Sequence, residues 1–289
     1  MLIVQIEKTS QDLLNEVNLF GKVAPLLLSS STEQSLLKSA INSGQEIWID
    51  CSISETFDDL ISYLDNGSSK IVVPLQGSLS AFKDAIASLP SERLIVSLPM
   101  ADSETLWNQC SSLESLVSGV ILPCNQSLVD TVYALNDKLH HYGFLLVNLG
   151  TAKPDLQLWG ALDKKGINVI LSNKSIASTQ AQVTENTSSL ADVYASFLTT
   201  DRPDGLFTTV VVDEQGIALG LCYSSKESIS ESLRTGEGVY FSRNRGLWYK
   251  GKTSGATQQL VSISADCDRD TLRFVVKQKD PGTFFSYSR

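Results

Sequence analysis

KIVVPLQGSLSAFKDAIASLPSERLIVSLP, Lys70 to Pro99, decides how the larger part of this chain is read. Its two ends, KIVVPL from Lys70 and RLIVSLP from Arg93, are apolar on successive residues instead of alternating, as a strand covered on both faces of a parallel sheet must be. Between them, SLSAFKDAIASLPSE puts Phe82, Ile86 and Leu89 on one helical face and ends at Pro90. The unit is strand, helix, strand. Working outward, runs of the same kind recur every 21 to 26 residues: LIVQIE from Leu2, PLLLSS from Pro25, EIWIDCS from Glu46, GVILP from Gly119, FLLVNLG from Phe144 and NVILSN from Asn168. A second helix is legible in SETFDDLISYLDNG, with Ser54 as cap, Phe57, Leu60, Ile61 and Leu64 as the apolar face and Gly67 as terminator. Eight strands alternating with helices predict an α/β fold, a (β/α)₈-like barrel at the small end of its size range, with an open doubly wound sheet as the alternative.

Catalysis in such a barrel takes place at the carboxyl ends of the strands. Those ends carry Glu7, Asp50, Cys51, Pro99 and Asn173, a poor set for chemistry, so a non-catalytic barrel is expected. The two histidines, His140 and His141, are adjacent near the end of a helix expected to begin about Ser127. Successive helical residues point about 100° apart, which keeps the two rings off one metal and leaves them a role at the helix C-terminus.

At 289 residues and 42% hydrophobic content the chain has room for two cores. A net charge of −9 argues against a general nucleic-acid binder. The five cysteines, Cys51, Cys110, Cys124, Cys222 and Cys267, are widely spaced and form no CxxC pair, which fits reduced intracellular thiols. MLIVQIEKTS has no basic region ahead of its apolar run, and no stretch approaches the length of a bilayer span, so a soluble cytoplasmic protein without membrane partners is expected.

The segment from Ser178 to Leu198 is polar and then helical, and the rhythm changes at Thr199 to Gly205, where Pro203 and Gly205 break structure. The expected domains are therefore 1–200 and 201–289. In the second, LFTTVVVDEQGIALGLCYSS reads as a hairpin, KESISESLRTG as a short helix closed by Gly236, and GVYFSRN, QQLVSISAD and TLRFVVKQ as further strands of a mainly antiparallel sheet in a small α+β domain.

Asp266, Cys267, Asp268 and Asp270 place three hard carboxylates and one soft thiolate within five residues. Carboxylates suit Mg²⁺ and a thiolate suits Zn²⁺, and an extended backbone would put the aspartates on one side and Cys267 on the other. The bland alternative is a polar hairpin turn with Cys267 buried as a small apolar residue. Arg234, Arg243, Arg245, Lys250 and Lys252 form a local basic cluster, and Ser242, Arg243, Arg245, Lys250, Thr253 and Ser254 are candidates to hold phosphate and ribose groups. Gly246, Gly251, Lys252 and Thr253 satisfy the phosphate-loop pattern literally, but Leu247, Trp248 and Tyr249 are too bulky for a backbone cradle and no helix pattern follows.

The ordered run TTVVVDEQGIALGLCYSSKESISESLRTGEGVYFSRNRGLWYKG, then KTSG, DCDRD and VVKQ, resembles the phosphoribosyl-AMP cyclohydrolases of histidine biosynthesis over about Asp204 to Gln278. The large region ahead of it is similar to the fungal form, in which this domain is part of a trifunctional, multifunctional enzyme with pyrophosphohydrolase and dehydrogenase domains. The barrel region also resembles, more distantly, the phosphoribosyl isomerase barrel, but lacks an aspartate after the first or fifth strand. The cyclohydrolase resemblance implies a hydrolase that breaks the adenine N1–C6 bond of phosphoribosyl-AMP. It implies Mg²⁺ ligands at Asp266, Asp268 and Asp270, a Zn²⁺ ligand at Cys267, and a site built across a homodimer. The family completes its zinc site with two cysteines downstream of the VxQ strand; this chain has none after Cys267, and it carries Lys252 and Ala256 where the family often has Glu and His or Asn. The resemblance thus leaves two expectations: an active cyclohydrolase, or a catalytically inactive N-terminal fragment with a structural or partner-binding role.

Overall fold

The computed structural model describes residues 1–7, 13–124, 128–151, 153–177, 182–184 and 186–279. The chain divides into two compact units, Met1–Ser175 and Ile176–Arg289. The start of the helix expected at Ser127, the beginning of the polar stretch from Ser178 and the ending TFFSYSR lie outside the described residues.

In the first unit every predicted run is a strand: β1 Leu2–Ile6, β2 Leu26–Ser29, β3 Ile47–Asp50, β4 Lys70–Pro74, β5 Leu94–Ser97, β6 Gly119–Pro123, β7 Leu145–Gly150 and β8 Asn168–Ser172. They pair in parallel in chain order, and β8 pairs back to β1 through Leu2↔Val169 to Gln5↔Ser172, closing the barrel. Helices α1 Leu13–Phe20, α2 Gln34–Ile41, α3 Phe57–Asp65, α4 Leu79–Ile86, α5 Ser103–Leu113, α6 Val129–Asn136 and α7 Leu156–Lys164 alternate with the strands. One residue from each strand, Trp48 and Ile170 among them, forms a contiguous buried layer inside. Because strand side chains alternate, the next inward positions lie two residues on, at the carboxyl ends of the strands, and these are mostly polar: Gln5, Ser29, Asp50, Ser97, Asn148 and Ser172. Asn148 donates to Gln5 Oε1 at 3.2 Å and Ser172 Oγ to Glu7 Oε1 at 2.6 Å.

Local chemistry explains the helix starts. In α4, Ser78 caps by accepting from Ala81 N, and Phe82 and Ile86 are buried as the spacing predicts. In α3 the cap is Thr56, not Ser54, because Asp59 three residues on completes a reciprocal capping box with the Thr56 amide. Leu60 and Leu64 face the core there, whereas Phe57 is 43% exposed at the first position of the helix. His140 and His141 lie beyond the end of α6, and both backbone amides donate to the Glu114 carboxylate. Their anchor is thus a side chain following α5 instead of the dipole of their own helix.

The second unit holds β9 Ile176–Ala177, β10 Ser188–Ser189, α8 Leu190–Ser196, β11 Phe207–Val212, β12 Ala218–Ser224, α9 Lys226–Thr235, β13 Val239–Ser242, β14 Gly246–Tyr249, β15 Gln258–Ala265 and β16 Thr271–Gln278. Its six-stranded sheet has the order β14-β13-β12-β11-β16-β15, antiparallel except for the β11/β16 pair. The sequence reading placed its boundary at 200/201; the second unit begins at Ile176 and so includes α8, which packs on α9 and whose Tyr194 hydroxyl donates to the Ile263 carbonyl of β15. Tyr240, Leu272, Phe274 and Val276 are buried, with the Tyr240 and Phe274 rings 5.4 Å apart. Gly236 ends α9 in a left-handed conformation at φ 67°, as its position after the helical pattern predicts.

Candidate functional site

The acidic stretch is the turn joining β15 to β16. Its base is closed twice, by Asp266 N–H donating to Thr271 O at 3.0 Å and by Thr271 N–H donating to Asp266 Oδ1 at 3.2 Å. The Thr271 hydroxyl donates to Asp270 Oδ1 at 2.8 Å. At the apex Arg269 takes a left-handed backbone, φ 65°, unusual for a residue with a side chain. The backbone is a tight turn, not the extended strand expected, and it is this reversal that gathers the aspartates. Ligand oxygens of Asp266, Asp268 and Asp270 all lie within 4.8 Å of one another, and all three side chains are exposed. The repulsion of Asp270 and Asp266 raises the pKa of Asp268 above the ordinary aspartate range. Cys267 is exposed rather than buried, so the hairpin-turn alternative holds for the backbone and fails for the thiol.

Register places the basic residues relative to this turn. Thr271 pairs with Thr208, Thr208 with Tyr223, Tyr223 with Phe241 and Phe241 with Leu247, a single row across β16, β11, β12, β13 and β14. β16, β11 and β13 run one way and β12 and β14 the other, so the turn, which precedes Thr271, lies toward the end where β13 begins and β14 stops, and the β13–β14 hairpin carrying Arg243 and Arg245 leaves the row on the opposite side. Three strand spacings separate Thr271 from Phe241, about 14 Å.

The hairpin cations rest on aromatic rings. The Arg243 and Arg202 guanidinium carbons lie 5.0 and 4.4 Å from the Tyr223 ring centroid, and Arg202 is also paired with Asp204 at 2.6 Å. Arg245 lies 5.9 Å from the Trp248 centroid, and Lys250 reaches back over the same ring at 5.6 Å. Ser242 and Arg243, with Tyr223, Phe241 and Trp248, line an open depression of about 310 Å³.

The remaining candidates are elsewhere. Thr253 and Ser254 are exposed in the loop after β14, at the opposite end of the β13–β14 ladder, where Lys250 N–H donates to Gly238 O. That loop turns at Gly251, φ 80°, and leads into β15 rather than a helix, as expected for a false phosphate-loop match. Arg234 is engaged by Glu231 at 2.7 Å; its guanidinium and the Tyr249 hydroxyl pull the Glu231 pKa down to about 2. Arg202, Tyr223 and Trp248 were missed as site residues. The signal available for Arg202 was the charged pair flanking Pro203 in DRPDG, read only as a linker.

Residues 220–286 match the family model described as phosphoribosyl-AMP cyclohydrolase, which bears out the resemblance read from SRNRGLWYKGKTSG and DCDRD. The chain is 38% identical over 236 residues to the histidine biosynthesis trifunctional protein of Neurospora crassa, an alignment covering 81% of this chain and 26% of that protein. It is 46% identical over 80 residues to a phosphoribosyl-AMP cyclohydrolase of Thioalkalivibrio sulfidiphilus, covering 27% of this chain and 61% of that one. The chain thus spans about a quarter of the length of the trifunctional relative. Among solved structures it is similar to the tryptophan synthase α-subunit of Pyrococcus furiosus, with a TM-score of 0.47 and 12% identity over 60% of this chain and 87% of that one.

Proposed function

We propose, from the phosphoribosyl-AMP cyclohydrolase match of residues 220–286, that this chain acts in histidine biosynthesis by hydrolysing the adenine N1–C6 bond of phosphoribosyl-AMP. The observation that carries this reading is the convergence of Asp266, Asp268 and Asp270 at the turn between β15 and β16. Three exposed carboxylates with mutually close oxygens are a donor set that fits a hard divalent cation, and Mg²⁺ there would supply positive charge to phosphate oxygens and order water.

The substrate class carries phosphates at both ends, and this chain's cations suit one of them. Arg243 and Arg245 offer forked, charge-assisted contacts to phosphate oxygens, and stacking on Tyr223 and Trp248 restricts their rotamers before the ligand arrives. The Ser242 hydroxyl beside them would suit a ribose oxygen. Thr253 and Ser254 follow β14 at the end of the β13–β14 ladder away from Arg243 and Arg245 and are assigned to the second phosphate; a homodimer with a shared site belongs to the same reading. Cytoplasmic residence and a non-catalytic barrel belong to the same reading; among the described residues no helix is long and apolar enough to cross a membrane.

Zinc fits less well. A tetrahedral site needs four ligands, and the one convergent group of His, Cys, Asp and Glu among the described residues is the aspartate triad, without Cys267. Zinc held by Cys267 therefore needs donors beyond those brought together here. The lone thiolate favours a second reading, a catalytically inactive chain that binds the nucleotide or a partner.

Turnover of phosphoribosyl-AMP by the full chain supplied with Mg²⁺ and Zn²⁺, with metal content measured on the same sample, separates the two. Ring opening that Asp268→Asn abolishes without changing the circular dichroism is expected. A folded protein that holds no zinc and leaves the substrate intact would establish the inactive reading instead.

A further inference from the structure

The acidic turn is not held by its own bonds alone. Its base is closed by Asp266 and Thr271, but the apex concentrates three like charges and a non-glycine residue at φ 65°, both of which favour opening. The restraint at the apex comes from outside the turn. Thr199 N–H donates to Arg269 O at 2.9 Å, and the Thr199 hydroxyl donates to Asp268 O at 2.9 Å. One residue thus grips two successive carbonyls of the apex, across 69 residues of sequence.

Thr199 is itself fixed. It follows α8, whose N-terminus is capped by Ser189 accepting from Asp192 N, and the two residues between helix and Thr199, Phe197 and Leu198, are buried. The Tyr194 hydroxyl ties α8 to Ile263 of β15, the strand that leads into the turn. Its neighbour Thr200 takes a different task, donating to Leu206 O and accepting from Arg202 N. Thr199 lies ahead of the residues matched by the family model, which begin at 220.

We infer that Thr199 is a positioning residue for the divalent-cation site, holding the turn in the conformation that converges Asp266, Asp268 and Asp270. This rests on the cation reading of the turn proposed above. Thr199 touches none of the three carboxylates through any hydrogen bond seen here; it acts on the backbone that carries them.

Mn²⁺ alone, titrated into the full chain and followed by electron paramagnetic resonance, is the probe, with the metal-free melting temperature measured in parallel. Thr199→Val keeps the shape and removes the hydroxyl donor; losing one net hydrogen bond at the apex is expected to weaken Mn²⁺ binding about fivefold. Thr199→Ser restores the donor and is expected to bind as wild type does. Thr199→Ala removes the same donor without a branched side chain and serves if the valine variant does not fold. Unchanged Mn²⁺ affinity in either donorless variant, with only the metal-free melting temperature lowered, makes Thr199 a loop anchor and overturns the inference. A wild-type protein that binds no Mn²⁺, or binding that Asp268→Asn leaves intact, overturns the cation reading itself and this inference with it.

Discussion

Asp50→Asn should stabilise the barrel unit at neutral pH and do progressively less as the solution is acidified. Asp50 ends β3, two residues beyond the interior Trp48, between Ser29 of β2 and Val72 of β4 in the register. No hydrogen bond to its carboxylate is present among the described residues, and the charge of Glu55 lies nearby in the loop after β3. Burial first, then Glu55, pushes its pKa from 3.8 to about 6. A carboxyl whose folded pKa is raised binds its proton more tightly in the native state, so its favourable contribution is complete below the unfolded value and is lost as pH rises through the folded one. A shift of about two units corresponds to about 3 kcal/mol of destabilisation by the charged form at pH 8, shrinking to about 1 kcal/mol at pH 4.5. Asparagine removes that charge. The midpoint of the barrel transition in the full chain should rise by roughly 6–12 °C at pH 8 and by far less at pH 4.5. Calorimetry of both proteins across that range is the assay. A difference that stays constant with pH, or a variant less stable at pH 8, would refute the assignment of Asp50 as a charge the mouth of the barrel does not pair.

Gly251→Ala should cost about 2 kcal/mol or more in denaturant unfolding, since a β-carbon there would sit 2.2 Å from the Ala256 carbonyl and the position has φ 80°; wild-type protein should show no ATP affinity in titration calorimetry. Tyr240→Phe should cost about 1–3 kcal/mol by urea titration, because it strips the buried Gln258 Oε1 of the donor it meets at 2.8 Å. If the site is shared between copies, Arg243→Ala and a Thr253→Ala/Ser254→Ala double variant, each impaired in turnover alone, should recover activity when unfolded and refolded together; no recovery would assign both ends to separate roles.

The barrel was legible because each of its eight strands is covered on both faces through its middle and so is apolar on successive residues there, a pattern that short turns cannot imitate. Helix starts were legible only in kind. Ser54 and Thr56 are equally good caps in isolation, and the choice falls to Thr56 because Asp59 stands three residues after it. The acidic stretch advertised its composition but not its shape: arginine carries no signature of a left-handed backbone, so an extended strand and a polar hairpin turn both fit the residues. Thr199 was invisible as a functional residue, since both of its bonds to the turn are long-range and it stands in a stretch that reads as a linker. The cation–ring stacks on Tyr223 and Trp248 escaped notice for a related reason. Arg202 and Tyr223 meet only once β11 and β12 have paired.

β11 is hydrogen-bonded to β12 on one side and β16 on the other, and it ends at Val212, before the family-matched residues begin. Anyone excising the cyclohydrolase-like portion at residue 220 would discard the spine of the sheet and leave two ribbons, β12 to β14 and β15 to β16, held to each other by backbone bonds only at the Glu237–Gln259 bridge among the described residues. A workable excision starts upstream of α8, keeping the middle strand and the threonine that steadies the acids in a single piece.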